Sequence, residues 1–515
     1  MGHMSHSKRL ELFRFNIGGQ LMSHFPSIFP SLLLIFSSLQ AAHSAEKRPN
    51  IIFFLIDDLG WSDLGCYGSK YHLTPNIDKL AARGVRFTQA YSASPVCSPT
   101  RSAVMTGKNP ARLGITDWIG ASQKFNALIT PKNVEALPQN EVTFAESLKK
   151  SGYATAYLGK WHLGANEQDH PNSHGFDYHR GVNRAGSPGS YYYPFKRNKA
   201  KPKTVLSPSD VPDFDSANKN SYLTDLLAEE ASKFIEKKKD VPFLLMLAHY
   251  SVHTPIQARK NDTIRYKDRM RDIGLPSKVN IKKERYGSTR ITQNNPDYAA
   301  MVESVDRSVG KVLGKLEELK LNDNTFIIFT SDNGGLSTLQ NNRRAAPTSC
   351  LPLRAGKGWL YEGGIRVPAI LAWPGVINEG ITTDVPIISS DFHPTILTAA
   401  GIKLDPSQHQ DGLDLNSIFR DGILRNRSLF WHFPHYHGSA NRPSSAIRKG
   451  NYKLIRWHED GSEEMFNISK DISETTDIES DESAKRAELS EDLSEWIKSS
   501  GARMPKLKEE TLRHD

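Results

Sequence analysis

"NIIFFLIDD", Asn50 to Asp58, is an apolar run closed by two carboxylates. It does not alternate, so a strand built from it must be buried on both faces, as strands inside a parallel sheet are. The same habit recurs in "YATAYLGKWH" (Tyr153 to His162), "PFLLMLAHYSVH" (Pro242 to His253) and "TFIIFTSDN" (Thr325 to Asn333). Helical patterns lie between: "TPNIDKLAARG", "TFAESLKKSG", "YLTDLLAEEASKFIEKK" and "DYAAMVESVDRSVGKVLGKLEELK". In the first, Thr74 stands at the N-cap, Pro75 in the first turn and Gly84 at the end. Strand and helix in alternation predict an α/β fold, a mostly parallel mixed sheet sandwiched by helices. From about Asn426 the texture changes: "RSLFWHF", "SSAIRKGNYKLIRW" and "SEEMFNIS" alternate over short lengths, and a helix follows at Ala484 to Lys498. This predicts a smaller C-terminal antiparallel-sheet subdomain with one helix. The expected organisation is a leader at 1–45, a main domain at 46–425 and the subdomain at 426–515. Long irregular stretches at about Asn166 to Asn220 and Gln257 to Asn295 read as functional or disordered loops.

The leader carries Lys8, Arg9 and Arg14, then the apolar "SLLLIFSSL" (Ser31 to Leu39), then "AAHSA" and a charged "EKR". That order fits a secretory signal peptide cleaved near Ala42 to Ala45, with an apolar core shorter than the ~20 residues that span a bilayer. No later segment is a transmembrane candidate, so an exported protein, periplasmic or extracellular, with no stable membrane span is expected. Apolar residues at 38% and charged ones at 24% are ordinary for a globular chain. The net charge of +9 is spread over short runs. The basic region Arg259 to Arg290 lacks the interleaved aromatics of a nucleic-acid motif, so no nucleic-acid partner is expected. An anionic polymer outside the cell is the better candidate. Cys66, Cys97 and Cys350, the three cysteines, cannot form a disulfide framework and leave at least one thiol to be explained.

In open parallel sheets ligands bind beyond the carboxyl ends of the strands. Asp57, Asp58, Lys160, His162, His253, Asp332 and Asn333 all fall there. Read singly, the Asp pair is a helix cap or turn and "SDNGG" an Asx turn. Read together, three carboxylates and an amide form an oxygen-rich site for a hard cation, Ca²⁺ or Mg²⁺. Lys160 and His162, with Lys357 in "RAGKGWLYEGG" and Arg101, add cationic donors suited to a tetrahedral oxyanion. His253, beside that cluster, is a proton-transfer candidate. "SPVCSPTRSAVMTG" (Ser94 to Gly107) holds Cys97 between two prolines; taken alone, Cys97 reads as a buried free cysteine packing as a small hydrophobe.

Cys97-Ser98-Pro99-Thr100-Arg101, followed by Ser-Ala-Val-Met-Thr-Gly, resembles the sulfatase motif C-x-P-x-R-x-x-x-x-T-G. Joined in order by "DDLGWSDLGCYG", "GKWHLG", "HTP", "SDNGG" and "GKGWLYEGGIRVP", it makes the chain similar to a type I, formylglycine-dependent sulfatase of the alkaline phosphatase superfamily. The resemblance runs from about Pro49 into the C-terminal subdomain. It implies that a maturation enzyme oxidises Cys97 to formylglycine, and that Asp57, Asp58, Asp332 and Asn333 bind one Ca²⁺ together with residue 97. The hydrated aldehyde would attack sulfur. Arg101, Lys160 and Lys357 would neutralise the sulfate oxygens, His253 would protonate the leaving alcohol, and His162 would take the proton from the remaining hydroxyl. The implied substrate is a sulfated carbohydrate, for which "GSPGSYYYPF" offers stacking faces, and His174 in "HGFD" and the pair Arg343 and Arg344 are candidate sugar or anion contacts. Two rivals stand beside this reading. One is a formylglycine-dependent phosphodiesterase or phosphonate monoester hydrolase. The other is an inactive glycan-binding homologue, which predicts losses among the metal or nucleophile positions; none is seen.

Overall fold

The central strand of the main sheet is Asn50–Ile56 (β1), buried along its whole length. The structure, a computed structural model, describes residues 48–508 less 124–125, 198–206, 215, 341–344 and 423. The expected signal peptide at 1–45 and the candidate contacts Arg343 and Arg344 lie outside the described residues. The other principal strands are Val85–Tyr91 (β2), Ala154–Gly159 (β3), Tyr178–Arg180 (β4), Phe243–His249 (β5), Thr325–Ser331 (β6), Arg366–Ala372 (β7) and Ile381–Thr383 (β8). They lie in the order β8-β2-β7-β6-β1-β5-β3-β4. From β6 to β4 every neighbour is parallel, and β7 alone runs antiparallel to both β6 and β2.

Seven helices matter here: Pro75–Ala82 (α1), Cys97–Thr106 (α2), Phe144–Lys150 (α3), Leu223–Lys238 (α4), Pro296–Glu318 (α5), Phe392–Ala399 (α6) and Ser483–Ser499 (α7). The unbroken apolar pattern of β1 has its reason in them. Ile52, Phe54 and Ile56 point into a core shared with α1, α4 and α5, while Ile51, Phe53 and Leu55 point into one shared with α3 and α6. With no wet face, no polar residue can alternate along the strand.

One helix cap forms without its usual bond and one local expectation fails, each for a physical reason. Thr74 occupies the N-cap position of α1 but makes no cap bond, because its hydroxyl accepts the Gly65 N–H and donates to Asp78. The stretch Gln257 to Asn295 is not irregular: it contains a helix, Lys260–Asp272, and a hairpin of Ile281–Glu284 with Gly287–Arg290. That helix buries only Tyr266, so it carries no apolar stripe for a 3.6-residue period to reveal.

At the C-terminus Ser428–Phe433 (β9), Ser444–Lys449 (β10), Tyr452–Trp457 (β11) and Glu463–Asn467 (β12) form an antiparallel meander. One face packs Trp431 and Trp457 against Tyr91, Trp359 and Tyr361; the other packs Ile447 and Leu454 against Leu489, Leu493 and Trp496 of α7. Trp431 Nε1 donates to the Ser92 carbonyl at 2.8 Å, just upstream of α2. Beside it Lys453 Nζ, fully buried, donates to Glu362 at 3.0 Å and Glu474 at 2.8 Å, and Glu362 also accepts the Tyr91 hydroxyl at 2.7 Å. Among the described residues no helix is long and apolar enough to cross a membrane.

Lys453→Ala strands the buried Glu474, leaves Glu362 on Arg366 at 3.2 Å, and should cost about 3–5 kcal/mol. Thermal unfolding should show a clear fall in Tm. The double change Lys453→Met, Glu474→Gln removes that pair together, keeps Glu362 on Arg366, and should recover much of the loss. A wild-type Tm for Lys453→Ala would show that the cluster does not bind the two sheets together.

Candidate active site

The parallel strands end in the residues that carry charge. Asp57 and Asp58 follow β1, Asp332 and Asn333 follow β6, Lys160 and His162 follow β3, and His253 follows β5. Backbone bonds knit these ends together: Asp332 N–H donates to the Ile56 carbonyl at 3.0 Å and Val252 N–H to the Asp57 carbonyl at 2.8 Å. Asp58 and His162 have left-handed backbones, with φ of 61° and 56°. Such conformations cluster at functional sites.

Cys97 is the first residue of α2, entered from an extended Val96 (φ −140°, ψ 164°). Every residue of this helix is buried, so its small side chains are a packing requirement. It ends at Gly107 with φ 70°, where a Cβ would stand 2.5 Å from the Cβ of His409. Cys97 Sγ lies 3.6 Å from Asp57 Oδ1 and 3.5 Å from Lys357 Nζ. Burial pushes its thiol up to about 12, even against Lys160 and Lys357. An unmodified thiol here is therefore protonated at neutral pH and a poor nucleophile.

Three ion pairs with little or no exposure surround it. Lys160 Nζ meets Asp57 Oδ2 at 2.7 Å, Lys357 Nζ meets Asp58 Oδ1 at 2.6 Å, and Arg101 Nε donates to Asp332 Oδ2 at 2.8 Å. Arg101 also donates to the Lys160 carbonyl at 2.6 Å. Burial pushes the Asp57 carboxyl up to about 7, with Asp332 and Asp58 adding to it and Lys160 opposing. At Asp58 burial acts the same way, but Lys357, His253 and Lys160 outweigh it and hold the group below the usual carboxylate range. Lys357 is held above its ordinary value, because Asp58 outweighs the cost of burial.

The donor set suits a hard cation. Ligand atoms of Asp57, Asp58, Cys97 and His253 all lie within 4.8 Å of one another. Asn333 donates through Nδ2 to Asp58 Oδ1 at 2.8 Å, and its own Oδ1, buried, has no hydrogen-bond partner. An orphaned carbonyl oxygen beside three carboxylates is what a Ca²⁺ ligand set offers.

The two histidines differ in which nitrogen is committed. His253 Nδ1 lies 2.7 Å from the Thr254 carbonyl and is the donor, leaving Nε2 3.8 Å from Asp58 Oδ2. His162 Nε2 donates to the Ile119 carbonyl at 3.0 Å, and its buried Nδ1 has no partner. Burial, with Lys357, lowers His253 to about 3; burial, with Lys160, holds His162 well below its ordinary value. Both rings are neutral. A Cβ on Gly186 would lie 2.1 Å from the His162 ring, so only glycine lets that loop cover the imidazole.

Cys97, Asp58, His162, His253 and Lys357 open onto one cavity of about 660 Å³, walled by Trp118, Gly186, Ser207 to Ser209 and His437 to Ser439. Arg101 and Lys160, assigned to the sulfate oxygens from sequence, do not line it; each is buried behind it on a carboxylate. His174 is also away from it, 1% exposed, against the Trp161 ring at 5.6 Å. None of the three tyrosines in the run lines the cavity, and Tyr192 and Tyr193 are half-buried. Tyr191 is fully buried and its hydroxyl donates to the carbonyls of Tyr250 (2.6 Å) and His253 (2.9 Å), which fixes the His253 loop. Trp118, Arg197 and His437 were not found by sequence reasoning. They stand on loops without periodicity, far apart in the chain, and only "FPHYHGSANRP" with its two histidines hinted at a polar loop.

A mostly parallel sheet whose strand ends gather carboxylates, an amide and cations around one buried residue at a helix start defines an alkaline-phosphatase-like ester hydrolase. A family model described as Sulfatase matches residues 49–402, and another, N-sulphoglucosamine sulphohydrolase, C-terminal, matches residues 355–500. The N-acetylgalactosamine-6-sulfatase of Canis lupus familiaris is 33% identical over 456 residues, covering 86% of this chain and 78% of its own. A sulfatase of Formosa agariphila is 32% identical over 512 residues, covering 86% and 87%. The crystal structure of Ps i-CgsB matches with a TM-score of 0.70 at 31% identity, covering 87% of this chain and 93% of that one, and it has also been solved in complex with k-i-k-neocarrahexaose. The chain belongs to the sulfatase family and is a sulfuric ester hydrolase.

Cation binding should depend on pH in a fixed direction. Without a cation, the Asp57 carboxyl is raised from 3.8 to about 7. A carboxyl raised on folding favours the fold below its unfolded pKa, and that contribution is lost as pH rises through the folded value. A divalent cation relieves the loss, so the gain in Tm from excess Ca²⁺ should be larger at pH 8 than at pH 5. Asn333→Ala should shrink that gain at both. Equal gains at both pH values, or none at either, would remove Asp57 from the ligand set.

Proposed function

We propose that this sulfatase removes sulfate from a sulfated carbohydrate outside the cytoplasm, with residue 97 acting in its formylglycine form beside one Ca²⁺. The observation that carries the reading is the position of Cys97. It begins a buried helix at the floor of the cavity, between a carboxylate at 3.6 Å and an ammonium at 3.5 Å, with its thiol held protonated. The carbohydrate part is supported by relatives named for N-acetylgalactosamine-6-sulfate chemistry and by the neocarrahexaose complex.

The residues divide the work as follows. Asp57, Asp58, Asp332 and Asn333 would hold Ca²⁺, which supplies positive charge that polarises the sulfate and acidifies a neighbouring hydroxyl. Lys357 is the cation both at the cavity wall and near residue 97, so it meets a sulfate oxygen directly. Lys160 and Arg101 pair with Asp57 and Asp332 and hold them in place. Asp57, nearest residue 97, takes a proton from its hydroxyl. His253, anchored through Nδ1, would take up a solvent proton on Nε2 once the anionic ester is bound and pass it to the leaving alcohol. His162 presents an unshared Nδ1 lone pair and takes the second proton from residue 97, which drives sulfate off. The two commitments, one ring through Nδ1 and the other through Nε2, fit an acid and a base acting in different steps.

Four measurements test this. Peptide mass spectrometry of protein made with a maturation enzyme should show a loss of about 18 Da at Cys97, the thiol-to-aldehyde change; a free thiol in fully active protein would refute the mechanism. His253→Ala should slow a sulfated sugar by roughly 100- to 10,000-fold and an activated aryl sulfate far less, because phenolate leaves without an acid. His162→Ala should instead give a burst and then a common slow rate on both substrates. Finally, sulfated oligosaccharides from marine galactans, glycosaminoglycans and mucin should include at least one that is desulfated faster than any aryl sulfate. Turnover of phosphodiesters alone would favour the rival chemistry.

A further inference from the structure

The stretch "DDLGWSDLGCYG" holds a third carboxylate, Asp63, that the chemistry above leaves unused. It is fully buried. Its Oδ2 accepts the Gly60 N–H at 2.8 Å and the Tyr298 hydroxyl at 2.6 Å. Its Oδ1 accepts the Thr348 hydroxyl and the Gln293 amide, both at 2.9 Å. Four donors fill the acceptor capacity of an ionised carboxylate. Three of them come from 230 to 285 positions away, and the fourth belongs to the loop that leaves Asp58. Asp63 therefore ties that loop to distant parts of the fold.

One of the four donors also reaches a proposed cation ligand. The Tyr298 hydroxyl oxygen lies 3.3 Å from the Asp58 carbonyl, within reach of the proton it gives to Asp63. Tyr298 is 1% exposed, and the start of α5 sets its place. Pro296 opens that helix, and the Asn295 side chain caps it by accepting the N–H groups of Asp297 and Tyr298.

Asp58 needs such a hold. Its backbone is left-handed, at φ 61°, a conformation that persists in a residue with a Cβ only where the surroundings fix it. The Asp58 N–H donates to Asp332 Oδ1 at 3.3 Å and the Leu59 N–H to Ser331 Oγ at 3.0 Å, which ties this kink to the end of β6. Tyr298 ties its carbonyl to α5. Without that second tie residue 58 is freer to relax toward the right-handed region, which would swing its carboxylate off Lys357 and Asn333.

We infer that Tyr298 is a positioning residue for the cation site: bonded to Asp63, it holds Asp58 in the left-handed conformation that aims its carboxylate at the cation. The inference rests on the Ca²⁺ reading above. Tyr298 acts on the reaction through Asp58 alone.

The test follows Ca²⁺ binding by calorimetry, in protein stripped with a chelator, for wild type, Tyr298→Phe and Thr348→Val. Each variant nearly keeps the size of its side chain and removes one hydroxyl from Asp63, but of the two hydroxyls it is Tyr298's that also reaches Asp58. Groups that orient a metal ligand are worth roughly 10- to 100-fold in metal affinity, so Tyr298→Phe should raise the Kd for Ca²⁺ by that factor. Thr348→Val should lose stability in the metal-free protein yet bind Ca²⁺ like wild type. Turnover of 4-nitrophenyl sulfate by Tyr298→Phe should climb back toward the wild-type rate as Ca²⁺ is raised, which a general loosening of the fold would not allow. Wild-type Ca²⁺ affinity in Tyr298→Phe, or equal weakening in both variants, would overturn the inference and leave the Ca²⁺ reading standing. Wild-type protein that takes up no Ca²⁺ would overturn both.

Discussion

Buried charge must be paired, and that constraint organises this protein. At the ends of β1 and β6, Asp57, Asp58 and Asp332 sit out of water, held by Lys160, Lys357 and Arg101 within 2.8 Å. Removing either partner of such a pair leaves an uncompensated charge in a low-dielectric interior, which costs several kcal/mol. The cations come from three different places in the chain: the middle of α2, the end of β3 and the loop before β7. Each therefore pins its own element to the sheet. The same pairing leaves the site close to neutral before any cation or substrate enters. A divalent ion and a sulfate monoester, which carries one negative charge, then leave a single net positive charge in the site.

The second sheet is part of the catalytic architecture. Trp431 of β9 bonds to the carbonyl of Ser92, just before the helix that carries Cys97, and Lys453 of β11 bonds to Glu362 in the segment that follows Lys357. The loop between β9 and β10 then supplies His437 to Ser439 as cavity wall. A Cβ at Gly358 would stand 2.3 Å from the His437 ring, so the loop bearing Lys357 packs against the second sheet only because glycine follows the lysine.

Much of the centre was legible. An apolar run buried on both faces and ended by a carboxylate pair has one ordinary home, an interior parallel strand whose carboxyl end faces a ligand. Four apolar runs, each ended by polar or charged residues, predicted β1, β3, β5 and β6, and with them Asp57, Asp58, Lys160, His162, His253, Asp332 and Asn333 at one edge. The strands β2 and β7 were less visible. "VRFTQAY" is partly exposed and "RVPAILA" carries a proline at a register shift, so neither shows the pattern of a wholly buried strand.

The sequence by itself determined the kinds of groups and their chain positions: oxygen donors in pairs at strand ends, a cysteine at a helix start, and lysines and histidines on short tethers from buried strands. Those follow from local patterns, since burial and period act over a few residues. Only the tertiary structure decided which groups meet. It put Lys357 on Asp58, turned Arg101 and Lys160 inward onto carboxylates and left Lys357 at the cavity wall. It committed opposite nitrogens of His162 and His253, buried His174 and Tyr191 in packing, and brought His437 across from the second sheet. The reason is that a side chain's direction and partners are set by contacts between residues tens to hundreds of positions apart, which no local period encodes.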